Sequence, residues 1–120
     1  IDTINPRASL NLGSAELIGR IEIVDVKFRK LGYFTQAQVK VRNLTELRYS
    51  LEYRFNWEDA SGFQVQGETV WQRMSLTPNQ TATLQSIGKD PDAENIVFFV
   101  RFPTDITIGT PDLSSPPPPQ

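Results

Sequence analysis

Polar and large apolar residues alternate strictly over 49–57, in the stretch YSLEYRFNW. Successive side chains of a β-strand point to opposite faces, whereas a helix would scatter every second residue around its circumference. The pattern therefore predicts a strand with one polar and one apolar face. The apolar face carries Tyr49, Leu51, Tyr53, Phe55 and Trp57.

This apolar face could line a core or bind a ligand. Burying one large apolar side chain contributes about 1.5–3 kcal/mol, and the net stability of a whole domain is typically about 5–15 kcal/mol. Leaving the face in water would therefore forfeit a free energy comparable with the stability of the domain. We predict that it lines the core and that Trp57 is a core residue near one end rather than a platform for a ligand.

Alternation with a period of two recurs over 36–42, where Ala37, Val39 and Val41 are the apolar members. The phase of the pattern slips by one residue between Ile23 and Val24, which predicts a β-bulge because a slip moves side chains to the opposite face. A turn is expected at Gly32.

Three further segments are expected to be strands. FQVQ, 63–66, is predicted to return as a hairpin partner of the aromatic strand after a turn at Asp59 and Gly62. TATLQSI, 81–87, alternates, and NIVFFVRF, 95–102, is apolar on nearly both faces, as a central strand is.

Short strands separated by turn signals predict an all-β fold, an immunoglobulin-like antiparallel β-sandwich of about seven strands that can be open at one edge. We assign the sandwich to residues 16–103. Residues 1–15 have no clear period and are predicted to be an irregular N-terminal leader. Residues 104–120 contain four consecutive prolines and are predicted to form an extended or disordered tail.

The composition argues against catalysis. The chain has no histidine and no cysteine, so it lacks the commonest general base and metal ligand and every thiol. No Ser-x-x-Lys spacing or glycine-rich phosphate loop replaces them. We therefore predict a protein that is not an enzyme and takes no cofactor or metal. A net charge of −2 argues against a nucleic-acid partner.

Five residues are candidates for binding. Trp71 lies outside any clean alternation, so it either covers an open end of the core or offers an aromatic contact to a partner, and Phe63 is a second aromatic of this kind. Lys40, Arg42 and Arg54 occupy the polar sides of two predicted strands. If these strands pair, they form a basic outer face that attracts an anionic partner or lipid headgroups; otherwise they are ordinary solvated positions.

The run RNLTELRYSLEYRFNWEDASGFQV, followed by LTPNQTATLQSI and NIVFFVR, resembles the YcfL-like domain of Gram-negative bacterial envelope proteins. The resemblance covers residues 20–102. It implies an immunoglobulin-like sandwich exported to the periplasm, in a family whose members are typically lipoproteins tethered through an N-terminal cysteine. This chain contains no cysteine, so a tether to the outer membrane is expected only of a full-length precursor. The family offers no catalytic residues to transfer.

The resemblance and the missing catalytic groups predict a non-catalytic periplasmic or outer-membrane-associated protein-interaction module of the cell envelope. Its partner would be an envelope protein or a cell-wall component. The alternative is a carbohydrate-binding module that stacks peptidoglycan or another glycan on Trp71 and Phe63.

Overall fold

The computed structural model describes residues 5–66 and 70–103, which form seven strands and one short 3₁₀ helix, Ala15–Leu17. The strands alternate with turns, as the predicted all-β class requires. They are β1 (Ala8–Leu12), β2 (Ile21–Leu31), β3 (Phe34–Asn43), β4 (Tyr49–Glu58), β5 (Gln72–Leu76), β6 (Thr81–Gly88) and β7 (Asn95–Arg101).

The strands form two sheets. Sheet A has four strands in the order β1-β7-β4-β5, and sheet B has three in the order β2-β3-β6. The predicted β-sandwich of about seven strands is thereby confirmed. One pairing departs from the antiparallel prediction, because β1 runs parallel to β7.

The strand order explains this departure. The remaining strands follow the arrangement of an immunoglobulin domain. In sheet B, β2, β3 and β6 correspond to strands A, B and E of that fold. In sheet A, β7, β4 and β5 correspond to strands F, C and an added C′. The position beside F, which strand G fills in that fold, is taken here by β1. Because β1 comes from the other end of the chain, it can approach β7 in the parallel direction.

The apolar face of β4 lies in the core, as predicted. All five of its large residues are buried, and Trp57 is only 1% exposed. The indole Nε1–H of Trp57 donates to Ser86 Oγ on β6 at 2.9 Å, which satisfies its polar atom inside the core. Phe28 contacts the indole edge-on. A β-carbon at Gly88 would lie 2.7 Å from the same ring, so the close approach of β6 to β4 requires glycine there.

Two local predictions are confirmed on β2. The pairing of β2 with β3 shifts register between Ile23 and Asp25, where the apolar pattern slips. The hairpin that joins the two strands closes at the pair Leu31 and Phe34, and Gly32 in its turn has a φ of 63°. A side chain at that φ would be strained, so the turn favours glycine.

The prediction that residues 1–15 form an irregular leader is wrong over Ala8–Leu12, because these residues form β1 and pair with β7. Its side chains do alternate, with Ala8 buried and Leu10 and Leu12 half-buried against the core. The signal was too short to be separated from the Pro, Asn, Gly and Ser residues around it. The tail predicted over 104–120 lies outside the described residues.

The predicted strand over 63–66 is also wrong, since Gln64 makes only an isolated bridge to Glu58. The Asp59 carboxylate accepts hydrogen bonds from the backbone N–H groups of Ser61 and Phe63 and curls the chain into a loop. The hairpin partner of β4 is instead β5, which aligns Gln72 with Tyr53. Met74 and Leu76 supply its buried face.

Asn43 is a polar residue with no exposed surface, at the end of β3. Its Nδ2 donates to the carbonyl oxygens of Leu47, Leu76 and Thr77 at 2.7, 3.2 and 3.1 Å. Its Oδ1 accepts from the backbone N–H and the hydroxyl of Thr45. One amide thus joins the β3–β4 loop to the end of β5, and we call these contacts the Asn43 latch.

Candidate functional site

The outer face of sheet A carries a group of charged side chains from three neighbouring strands. Glu52 lies opposite Arg101 of β7 and opposite Arg73 of β5. Its carboxylate accepts from the Arg101 Nε–H at 3.0 Å and lies 3.4 Å from the Arg73 Nε. Glu52, one polar member of the β4 alternation, thus links Arg73 on the edge strand β5 to Arg101 on β7 in a network of charges.

Trp71 lies on this network, just before β5. The guanidinium carbons of Arg101 and Arg54 are 3.7 and 4.6 Å from the centroid of its ring, and Phe99 meets it edge-on. These distances are in the range of cation–π contacts. We call Arg54, Trp71, Phe99 and Arg101 the tryptophan–arginine patch.

Trp71 therefore does not cover an open end of the core, as one sequence interpretation held. It lies half-buried on the outside of sheet A. On the same face the Oδ1 of Asn56 is shielded from solvent and accepts no hydrogen bond from the described residues. The patch presents aromatic area and guanidinium donors together, which are the side chains most enriched where proteins bind one another.

The hypothesis of one basic face across the two polar strand sides is wrong. Lys40 and Arg42 lie on β3 in sheet B, whereas Arg54 lies on β4 in sheet A, and the two strands do not pair. Lys40 lies opposite Asp25 and Arg42 opposite Glu22 on β2, so each cation has an acidic cross-strand neighbour. The basic residues are divided between opposite outer faces of the sandwich.

Phe63 lies in the loop after β4 and is 71% exposed. The ring contact of Trp71 is with Phe99, on β7, rather than with Phe63. The structure thus unites Trp71 with Arg54 from the predicted set and leaves Phe63, Lys40 and Arg42 elsewhere.

A second candidate site was missed by sequence reasoning. Where β1 and β2 form the neighbouring edges of the two sheets, a cleft of about 660 Å³ opens between them. We call it the edge cleft. The sequence feature that could have indicated this cleft is the short alternation of apolar residues in β1, which we had interpreted as part of an irregular leader. The cleft is lined mainly by aliphatic side chains, among them Leu10, Leu12, Ile18, Ile21, Ile23 and Val26.

Two titratable groups of the described residues have shifted pKa values. Burial raises the pKa of Tyr53, and a hydrogen bond to Tyr49 raises the pKa of the exposed Arg20 guanidinium. Both shifts favour the form already present at neutral pH. The part of the chain that the structure describes holds no group of three His, Cys, Asp or Glu residues able to bind a metal ion.

Over residues 5–66 and 70–103, no helix is long and apolar enough to cross a membrane. The fold and the two sites define a small β-sandwich domain with an aromatic–basic outer face and an apolar cleft at one side.

The chain belongs to the family described as "Protein of unknown function (DUF1425)", which matches residues 8–102. A DUF1425 family member from Shewanella sp. pv-4 has a similar crystal structure, with a TM-score of 0.63 and 20% identity, covering 71% of this chain and 80% of that one. The crystal structure of Campylobacter jejuni cj0090 matches with a TM-score of 0.61 and 13% identity, covering 82% of this chain and all of the other. At these identities the likeness establishes the fold alone. No curated protein matches the sequence.

Proposed function

We propose that this domain is a non-catalytic protein-interaction module of the bacterial cell envelope, located in the periplasm and held at the outer membrane in a full-length lipoprotein precursor. The observation that carries the interaction role is the tryptophan–arginine patch. The resemblance to YcfL-like envelope proteins supports the location. The partner is an envelope protein, and neither a nucleic acid nor a cofactor is needed.

The contacts within the patch support this role. Arg101 is held by Glu52 at 3.0 Å and lies against the Trp71 ring at 3.7 Å, so its guanidinium is already ordered. Groups ordered before binding lose less conformational entropy when a partner docks. Trp and Arg are also the residue types whose truncation most often costs an interface more than 2 kcal/mol, a typical magnitude for such contacts.

The test is quantitative capture of envelope proteins on the immobilised domain. We expect Trp71→Ala and Arg54→Ala to reduce capture of the same protein at least tenfold, a factor that corresponds to about 1.4 kcal/mol. Arg42→Ala is the matched control, because Arg42 is exposed on the opposite sheet and should leave capture unchanged. Equal capture by all three variants would discard the patch as the contact surface.

Location is tested separately, by fractionating cells that express the full-length precursor and by labelling them with a radioactive fatty acid. A labelled protein in the outer-membrane fraction supports the proposal. An unlabelled cytoplasmic protein would contradict it, whatever the capture experiment shows.

A glycan-binding module is the second candidate, because the Trp71 and Phe63 rings both retain exposed surface. The two guanidinium groups over the Trp71 ring favour the first candidate, since they occupy ring area that a sugar would need. Muropeptides should quench tryptophan fluorescence if the second candidate is correct. Trp71→Phe should abolish that quenching, because Trp57 is buried and inaccessible to a sugar.

A further inference from the structure

The hairpin between β2 and β3 ends in large apolar side chains that face solvent. Its last pair, Leu31 and Phe34, is 37% exposed at both positions, and Tyr33 in the turn is 86% exposed. The pairing of β3 with β6 ends at Thr35 and Gly88, so these three side chains lie beyond the third strand of the sheet. They form a projecting apolar end of sheet B rather than a groove, and we call them the hairpin tip.

Three basic residues lie directly behind the hairpin tip. Lys27, Arg29 and Lys30 are exposed, and each lies opposite an uncharged residue of β3. Among the residues that the structure describes, none of the three forms an ion pair. The sequence has no aspartate or glutamate between Asp25 and Glu46. The positive charge behind the tip is therefore available to an anionic partner.

A chain of side-chain hydrogen bonds makes this basic surface rich in donors. Arg29 Nε–H donates to Gln36 Oε1 at 2.6 Å. Gln36 donates in turn to Gln85 Oε1 at 3.2 Å, and Gln85 donates to Gln38 Oε1 at 3.0 Å. Each amide oxygen is thus engaged within the protein, whereas the Gln38 amide N–H groups and the Lys27 ammonium are not.

The same side chains line a shallow pocket of about 330 Å³ on the outer face of sheet B, which we call the donor pocket. A neutral sugar hydroxyl both donates and accepts hydrogen bonds, so it needs free acceptors as well as donors. A phosphate oxygen only accepts, and lysine and arginine side chains bind it with charge-assisted hydrogen bonds. The donor pocket therefore fits a phosphate better than a neutral glycan.

The spacing between the hairpin tip and the donor pocket matches that of a membrane surface. Arg29 and Gln36 lie two residue pairs behind Leu31 and Phe34, a distance of about 7 Å at a rise of about 3.4 Å per residue. Elements that lie in the membrane interface bury their apolar side chains about 5–10 Å into the boundary between headgroups and acyl chains. With the tip at that depth, the pocket lies at the level of the lipid phosphates. An acidic protein segment would require no such spacing.

The acidic residues near this end of the sandwich favour one orientation. Asp90 and Asp92 lie on the connection from β6 to β7, which leads from sheet B to sheet A. Asp25, on β2, lies opposite Lys40. An approach with the outer face of sheet B toward the bilayer therefore brings the bases close to anionic headgroups and leaves the acids farther away. A second copy on the tip would instead bring like charges together.

We propose that the hairpin tip and the donor pocket dock this domain on a bilayer that contains anionic phospholipids. Leu31, Tyr33 and Phe34 enter the interface, and Lys27 and Arg29 bind lipid phosphates. Tyrosine is enriched at such interfaces, because its ring is apolar and its hydroxyl stays hydrated. The site lies on sheet B, whereas the tryptophan–arginine patch lies on sheet A, so it does not depend on the proposed interaction role.

The probes are vesicles of phosphatidylglycerol and phosphatidylethanolamine in equal parts, and vesicles of phosphatidylcholine alone. We expect the domain to cosediment with the anionic vesicles at least about tenfold more tightly than with the neutral ones, because three bases lie behind the tip. This preference should decrease as salt is added, since salt screens exposed charges.

Insertion of the tip is measured with a fluorophore. The chain has no cysteine, so Tyr33→Cys provides one attachment site for an environment-sensitive dye. Its emission should shift to shorter wavelength on anionic vesicles, because the tip enters a less polar layer. Ile18→Cys is the matched control, because Ile18 is 70% exposed and precedes the opposite end of β2. The dye at that position should show no shift.

Two arginine variants separate the donor pocket from the net charge of the domain. Arg29→Ala should weaken binding to anionic vesicles about fivefold. Arg42→Ala removes the same charge from the same sheet face but lies opposite Glu22, so it should leave binding nearly unchanged. Trp71→Ala should also leave vesicle binding unchanged, so failure of the patch and failure of the tip are distinguishable.

Four results would overturn the proposal. Equal binding to both kinds of vesicle would remove the role of anionic headgroups. Cosedimentation without a spectral shift at position 33 would reduce the contact to surface charge, and equal losses in Arg29→Ala and Arg42→Ala would assign it to net charge. Reduced capture of an envelope protein by Tyr33→Glu, together with an absence of vesicle binding, would assign the hairpin tip to a protein partner.

Discussion

The sandwich has two sides at which edge strands of the two sheets lie next to each other, β5 with β6 and β1 with β2. The chain covers these two sides by different means. At the side formed by β5 and β6, the connection over 77–80 is short, and the Asn43 latch binds the carbonyl oxygens of Leu76 and Thr77. At the side formed by β1 and β2, the connection is longer, one apolar side chain, Leu17, is buried, and the edge cleft remains. Polar contacts of one buried amide thus join the loop and strand at the first side, whereas at the second side aliphatic surface remains exposed beside Leu17.

Removing the Asn43 latch should have the largest effect on the free energy of unfolding. Asn43→Ala removes the donor to the buried Leu76 carbonyl and the part-buried Thr77 carbonyl, and each unsatisfied group costs about 1–3 kcal/mol. We expect the free energy of unfolding to fall by about 4 kcal/mol in urea denaturation. Asn95→Ala is the control, because Asn95 donates one bond of 3.3 Å to Asp59 and should cost less than about 1 kcal/mol.

Truncating Leu17, the buried side chain at the side formed by β1 and β2, should have the next largest effect on the free energy of unfolding. Leu17 has no exposed surface, so Leu17→Ala leaves a cavity beside the cleft and should cost about 3 kcal/mol. The adjacent Ile18→Ala, at an exposed position, should stay within about 0.5 kcal/mol. Equal losses at both positions, measured by the same denaturation, would show that Leu17 does not plug this side.

Truncating the wall of the cleft should cost less. Leu12 is half-buried and faces the edge cleft, so Leu12→Ala removes contacts on one side only and should cost about 1 kcal/mol. The matched change on the latched side is Leu76→Ala, where the side chain is fully buried and the cost should be about 3 kcal/mol. Similar costs in thermal and urea unfolding would mean that the two sides are packed alike.

The smallest expected effect on stability depends on pH and concerns Tyr53 on β4, which lies in sheet A between the two sides. Burial raises the pKa of Tyr53 above its ordinary value of 10.0, so the folded state retains this proton when the unfolded chain has lost it. The resulting stability is present below pH 10 and is lost as the pH rises through the folded pKa. Tyr53→Phe should remove this alkaline loss, whereas Tyr33→Phe, at a residue that is 86% exposed, should not. Identical alkaline unfolding curves for all three proteins would contradict the prediction.

The sequence was informative wherever a strand was long enough to repeat its period. The alternation of β4 predicted its buried face, and the slip at Ile23 located a bulge, because both are properties of neighbouring residues. The division of Lys40 and Arg42 from Arg54 could not be predicted in this way. It depends on which strands pair, and pairing is decided by contacts between distant parts of the chain.

The same reasoning explains the candidate sites. Trp71 was identified as an unusual aromatic, but its position over Arg101 follows from the register of β5 and β7 with β4. The edge cleft was missed because β1 contributes only a five-residue strand to it. The Asn43 latch was missed because a buried amide and an exposed turn amide have the same sequence signature until their acceptors are known.

The parallel pairing of β1 with β7 has a consequence for the order of folding. The partners of this ladder, such as Ala8 and Ile96, are 88 residues apart, whereas β2 and β3 meet through a two-residue turn. Closing so long a loop is entropically slow, so the N-terminal strand should dock after the rate-limiting barrier has been crossed. Conservative substitutions in β1 should then speed unfolding and leave the refolding rate unchanged, and a φ-value near one at Leu10 would exclude this order of events.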